Sequence, residues 1–364
     1  MNTIRLRDRG ITIGELTPGA RNKITDVPGV TVGHVTLDDE YHKTGITVVI
    51  PAPGNLFADK LTAASYIVNG YGKTCGTVQI DELGTLETPI ALTGTLNVGR
   101  VADALVTYTL DQCARDGLIC TSVNPVVGET NDGELNRSSD RPMGYAELMT
   151  AIGSASSDFD EGDVGAGKGT HCLGCKGGIG SASRTFTVGD KTYTLGALVQ
   201  TNFGRGEDLT IDGFKAGQLI RRLTEEIRKP EDKGSCMIII ATDLPLSELQ
   251  LRRVLRHAVV GLARTGSFVG HGSGDVVLGF TTANRHSHDD GGLRQMQAVN
   301  DDFIDLAFRA CAESVEEAVL NSLCCADRVT GNNGREIVSL PGLNEYLPAI
   351  LDAMRADTDT ASVK

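Results

Sequence analysis

KPEDKGSCMIIIA, residues 229–241, holds the change of pattern on which the fold turns. Just upstream, residues 214–228 read FKAGQLIRRLTEEIR, and Phe214, Leu219, Ile220, Leu223 and Ile227 form an apolar stripe at helical spacing. Pro230 has no amide hydrogen to continue such a helix. A short polar run follows, and then Cys236 to Ala241 read as a strand apolar on both faces. A polar loop thus feeds directly into a buried strand, with Gly234 and Ser235 at the boundary. Working outward, further apolar or β-branched runs predict strands at residues 45–50, 186–187 with 193–199, and 275–280. Helical spacing predicts long helices over residues 98–113, 246–264 and 300–325. Mixed strands and long helices imply an α/β or α+β layered domain.

The bulk composition narrows the function. The chain has 364 residues and a net charge of −13, so it offers no basic surface of the kind nucleic acid requires. No apolar run approaches the ~18 residues of a membrane-spanning helix, and none is expected. The start of the chain carries Arg5, Arg7 and Arg9 without the apolar stretch of a secretory signal. The nine cysteines, odd in number and irregularly spaced, read as reduced thiols and place the protein in the cytoplasm.

Several motifs invite a chemical reading and fall short of it. Residues 162–183 are glycine-rich, but Gly165-Ala166-Gly167-Lys168-Gly169-Thr170 does not keep the spacing of a phosphate-binding loop; close packing of backbone is the expected role. His171-Cys172-x-x-Cys175 lacks the further ligands of a closed metal site, and no metal is expected. Residues 285–290, RHSHDD, read as a solvated loop.

The Gly234-Ser235 junction has a specific chemical use as well as a bland one. A serine hydroxyl can attack the carbonyl carbon of the residue before it, giving an ester that water opens. Glycine at that preceding position offers no steric block. The freed α-amine, with a pKa near ~8, could then serve as base for its own hydroxyl. Taken by itself, Gly-Ser reads first as an ordinary helix-to-strand turn.

Its company decides between the two. The chain resembles the self-processing serine-nucleophile aminopeptidases that include the L-aminopeptidase/D-amidase-esterases and the β-peptidyl aminopeptidases. The resemblance runs nearly end to end. It is carried by ITDVPGVTVGHVTL (24–37), KTGITVVIP (43–51), LETPIALTGTLNVGRVADAL (86–105), VVGETNDGELN (126–136), KGGIGSASR (176–184), LVQTNFG (198–204), GSCMIIIATDLPL (234–246) and GHGSGDVVLGF (270–280). It implies an α+β fold, a four-layer αββα sandwich like that of N-terminal-nucleophile hydrolases but with different strand connectivity. It also implies one domain, 1–364, cut between Gly234 and Ser235 into 1–234 and 235–364. No cofactor is implied. The substrates would be short peptides, amino-acid amides or esters, and the assembly a homo-oligomer, a tetramer or larger.

The resemblance also assigns roles. Ser235 matches the nucleophile, and Ser273 and Asp275 match the pair that holds its amine. Many relatives carry glutamate where Asp275 stands, which is one methylene shorter. Asn202 matches the oxyanion donor, and Glu129 the carboxylate that pairs with the substrate's ammonium. Glu134 stands where some relatives carry an aromatic residue, which alters the charge and shape of the pocket. Cys236 is expected to be a packed strand residue. An acyltransferase of related architecture, or an unprocessed binding protein, is the alternative function.

Overall fold

The computed structural model describes residues 4–224, 234–288 and 291–361. The first half of the chain runs β1 (Thr31–Asp38), β2 (Lys43–Ile50), β3 (Asp59–Gly70), α1 (Thr77–Leu83), β4 (Thr85–Leu86), β5 (Ile90–Gly94), α2 (Val98–Arg115), β6 (Val126–Thr130) and α3 (Tyr145–Gly153). A short ribbon, β7 (His171–Cys172) and β8 (Cys175–Lys176), leads into β9 (Ile179–Val188), β10 (Lys191–Asn202) and α4 (Ala216–Leu223). Then come β11 (Ser235–Thr242), α5 (Glu248–Leu255), α6 (Ala258–Arg264), β12 (Gly274–Ser287), α7 (Ile304–Cys324), the hairpin β13 (Val329–Asn332) and β14 (Ile337–Leu340), and α8 (Leu347–Ala361).

Two sheets carry the architecture, one ordered β1-β2-β5-β6 and the other β4-β3-β12-β11-β10-β9. Each is antiparallel except for one parallel pair, β5 with β6 and β11 with β12. Strand β11 shows why the layers form. Met237, Ile239 and Ala241 pack between the two sheets, while Cys236, Ile238 and Ile240 pack under the outer helices. Alternate residues of a strand face opposite ways, so a strand apolar at every position must lie between two apolar layers. On the far side of the smaller sheet, Ile46, Val48, Ala91 and Val127 meet Val101, Leu105, Leu148 and Ala151 of α2 and α3. Beyond the larger sheet lie α5, α6 and α7. The layers therefore run helix, sheet, sheet, helix, as expected.

The glycine-rich stretch packs backbone against backbone. A methyl group at Gly167 would stand 2.6 Å from the Cα of Gly178, a separation side chains cannot adopt, so the two segments touch here only because residue 167 is glycine.

Other expectations required correction. The helix predicted over 246–264 is two helices. The chain bends between them at Arg256 and His257, where the His257 ring stacks on Phe308 of α7 at 3.9 Å, so both segments stay on α7. The helix predicted over 214–228 ends at Leu223, with Thr224 extended, and Phe214 precedes it; residues 225–233 lie outside the described residues. Arg285, His286 and Ser287 are not a solvated loop. They extend β12, paired with Leu61, Lys60 and Asp59, and His286 is buried against Thr62 Oγ1 at 2.7 Å. Asp289 and Asp290 lie outside the described residues.

Helix α7 also buries more charge than its apolar spacing suggests. Arg184 of β9 is wholly enclosed between Glu313 and Glu317 of α7, and Arg7 reaches Glu317 at 2.7 Å. Removing one member of such a network would strand a buried charge. The network fixes the N-terminal segment and α7 to the larger sheet.

Candidate active site

Ser235 begins β11, in register with Asn202 of β10 on one side and Gly274 of β12 on the other. Two residues before Met237, it shares the face directed at the smaller sheet. There it lines a cavity of about 310 Å³ together with Tyr71, Lys73, Thr95, Glu129 and His271. Glu129 lies near the C-terminal end of β6 and is buried. Its Oε1 accepts from the Lys73 backbone N–H at 2.8 Å and its Oε2 from the Thr95 hydroxyl. The cavity thus holds a serine hydroxyl and an anchored carboxylate, with no cationic side chain among the described residues bonded to that carboxylate.

Behind Glu129 stands Asp132, fully enclosed, with Thr44 and Asn136 close to its carboxyl. Burial, reinforced by the nearby Glu129 charge, lifts its carboxyl to about 6.

Asn202 follows Leu198 and Gln200 at period two and therefore faces the smaller sheet as well. Gln200 bridges the sheets below it, donating through Nε2 to Thr130 Oγ1 at 2.8 Å and to the carbonyls of Ala166 and Thr93. The Asn202 Oδ1 accepts from the His171 N–H at 3.2 Å, which leaves its NH₂ as the end available to a ligand.

Gly234 is required for space: a methyl group there would stand 2.5 Å from the Cα of Phe203. Its carbonyl oxygen accepts a hydrogen bond from the Gly274 N–H at 3.0 Å.

Ser273 and Asp275 flank Gly274 and are both buried. Neither lines the cavity. The Ser273 Oγ finds no hydrogen-bond partner among the described residues, and its carbonyl is held by Asn69 Nδ2. Asp275 shares the sheet face of Cys236 and Val277, one strand over from Cys236. Burial pushes the Cys236 thiol up, and the Asp275 charge pushes it further. A thiol held protonated in this way is a packed residue and no rival nucleophile.

Glu134 does not share the cavity of Ser235. It lines an adjoining one of about 470 Å³ with Arg137, His171, Asn202 and Arg335, and Asn131 borders both. His171 turns away from the cysteine pair, its Nδ1 lying 3.2 Å from the Glu134 carboxylate. Cys172 and Cys175 pair across the small ribbon and are buried.

The resemblance left out the residues that hold these groups: Lys73, Thr95 and the Gly274 amide. Thr95 lies inside a segment quoted above, but a lone threonine carries no catalytic signature, and the Lys73 and Gly274 contributions are backbone amides that any residue could supply.

Two sheets packed face to face between helices have the layering of the N-terminal-nucleophile hydrolase fold, and here a strand-initial serine and a buried carboxylate line one cavity. The sequence profile described as peptidase family S58 matches residues 22–337. The chain is 36% identical over 373 residues to the β-peptidyl aminopeptidase BapA of Sphingosinicella xenopeptidilytica, covering 96% of this chain and 91% of that one. Its fold is similar to that of a Pyrococcus horikoshii protein of known crystal structure, with a TM-score of 0.91, 42% identity, and 98% and 99% of the two chains covered. It is similar also to the L-aminopeptidase D-Ala-esterase/amidase of Ochrobactrum anthropi, described as a new variant among the Ntn hydrolase fold (TM-score 0.88, 33% identity, 96% and 98% covered). The chain belongs to peptidase family S58 and is a hydrolase, an aminopeptidase/amidase. Acyl transfer and a non-catalytic role are not favoured.

Proposed function

We propose that this aminopeptidase matures by cutting its own chain between Gly234 and Ser235, into 1–234 and 235–364, and that Ser235 then attacks the substrate. One observation carries the reading. The carbonyl before Ser235 accepts the Gly274 N–H at 3.0 Å, at the rim of the cavity that holds Glu129. Polarised in this way, the Gly234 carbonyl carbon is open to the Ser235 hydroxyl. The Oγ–C bond forms, the C–N bond breaks, and the amide becomes an ester with a free amine. Water then releases the Gly234 carboxylate.

In the cut enzyme the Ser235 amine takes the hydroxyl proton as Oγ attacks the substrate carbonyl. The Asn202 NH₂ group donates to the oxygen on which negative charge develops. Glu129 pairs with the substrate's free ammonium, which selects for a free N-terminus. The Ser235 ammonium returns its proton to the departing amine, and water hydrolyses the acyl-enzyme. Ser273 and Asp275, buried on either side of Gly274, hold the new amine in place.

Substrates in this reading are short peptides, amino-acid amides or esters of α- or β-amino acids. The β-peptidyl relative supports the latter. We propose a homo-oligomer, and a reducing, cytoplasmic setting supported by nine free thiols.

Denaturing intact-mass measurement of the wild type and Ser235→Ala tests the mechanism. The wild type should give two pieces, the second starting at Ser235, and the variant one uncut, inactive chain. A cut, active Ser235→Ala protein would refute it.

A further inference from the structure

The cavity that adjoins the catalytic one contributes only Asn202 to the chemistry described above, although it is the larger of the two, about 470 Å³ against 310 Å³. The boundary between them is informative. Ser235 lines the first cavity and Asn202 the second, yet the two residues are direct partners across β10 and β11. A carbonyl bound between their side chains, its oxygen toward Asn202, therefore sits at the boundary of the two cavities. With the ammonium on Glu129 in the first, some other part of the substrate enters the second.

The charges on the second cavity's wall are mostly matched within the protein. The Glu134 carboxylate faces His171 Nδ1 at 3.2 Å. Arg137 is paired with Asp140 at 2.6 Å and lies over the Tyr41 ring at 4.3 Å. Arg335 is different. It lies in the turn of the β13–β14 hairpin, it lines the cavity, and its guanidinium has no acidic partner among the described residues.

The hairpin is also built onto the active-site loop. Asn333 donates through Nδ2 to the Glu134 carbonyl at 3.1 Å, while its Oδ1 accepts from the backbone N–H groups of Arg335 and Glu336 at 2.9 and 3.1 Å. Gly331 lies so close to Leu135 that a methyl group there would stand 2.8 Å from the Leu135 Cα. One asparagine thus ties the backbone of Arg335 to the loop that follows β6 and carries Glu134.

We infer that the second cavity receives a carboxylate of the substrate and that Arg335 binds it. Two sources fit this chemistry: the free C-terminus of a dipeptide, and the acidic side chain of the N-terminal residue. The inference rests on the Ser235 aminopeptidase reading. Arg335 acts on the substrate's far end and moves no proton.

The test compares kcat/KM for two substrate pairs, Ala-Ala with Ala-Ala-amide and glutamic acid α-amide with glutamine amide, in cut wild type, Arg335→Ala and Arg335→Glu. Intact mass establishes that each variant has folded and matured. The wild type should favour the carboxylate-bearing member of at least one pair by about tenfold, mainly through KM, as expected of one charge-assisted contact. The pair that responds identifies the source. The ratio should fall to about one in Arg335→Ala and reverse in Arg335→Glu. Equal rates for both members of both pairs in the wild type, or a preference that survives Arg335→Ala, would overturn the inference while leaving the Ser235 mechanism standing. Absence of all hydrolysis by a cut wild type would overturn both.

Discussion

Replacing Glu129 by glutamine removes one negative charge from a buried site and changes little else. The side chain keeps its length, and its remaining oxygen can still accept the Lys73 N–H that Oε1 now accepts at 2.8 Å. The new NH₂ group meets the Thr95 hydroxyl, which can turn from donor to acceptor. The fold should therefore survive. What is lost is the charge opposite the substrate's ammonium. A hydrogen bond to a charged group contributes about 1.5–3 kcal/mol, which converts to roughly 10- to 150-fold in kcat/KM for a substrate with a free amine. Self-cleavage involves no free ammonium at that position, so its rate should change by less than about threefold on the same energy scale. The assay is steady-state hydrolysis of an alanine p-nitroanilide beside a time course of intact mass. A glutamine variant that cuts as slowly as it hydrolyses, or that hydrolyses at the wild-type rate, would refute the assignment of Glu129 to the ammonium.

Two further outcomes test the site's surroundings. Gly234→Ala places a methyl group 2.5 Å from the Phe203 Cα, so the strand end must shift; self-cleavage followed by intact mass should slow by about a hundredfold, as misplacement of a reacting group by about 1 Å does, and an unchanged rate would show the close approach to be irrelevant. Asp132 holds its proton up to about pH 6 in the fold and to about 4 when unfolded. The folded state binds more protons between these values, so stability falls as pH rises from about 4 to about 6 and is level above. A shift of about two units amounts to roughly 3 kcal/mol. Asp132→Asn should accordingly be the more stable protein above pH 6 and show no added stability below pH 4 in thermal melts. Parallel pH profiles for the two proteins would contradict this.

The layers of the fold were legible because each rests on a local pattern. Cys236 to Ala241 are apolar on both faces, and only a strand between two packed layers accommodates that. The helix boundaries were less legible where a tertiary contact decides them. Nothing near His257 announces a bend, because the ring it stacks on is Phe308, far along the chain. The polar residues Arg285 to Ser287 conceal a strand because β3 supplies the pairing. Resemblance, which covers side chains, pointed to Ser235 and Glu129, which line one cavity, and to Asn202, which lines the next. The Gly274 amide and the Lys73 amide are backbone groups, and sequence does not mark them. Resemblance also grouped Glu134 with Glu129, five residues away. The structure separates them because the loop between them crosses from one cavity to the next.

Ser235 opens a strand in the interior of a sheet, with β10 on one side and β12 on the other. A cut at this position creates a chain end with no open edge beside it. The piece 235–364 would contribute β11 and β12 to the middle of the larger sheet, while β3, β4, β9 and β10 come from the other piece. The two would be interleaved and could part only by stripping the sheet strand by strand. Their arrangement would have been set while they were still one polymer, when pairing was an intramolecular event. After the cut, the same pairing has to be found by two separate molecules. The mature protein would thus carry a memory of its precursor, and once fully denatured it should regain activity in proportion to its concentration, whereas an uncut Ser235→Ala chain should refold at a rate that dilution does not change.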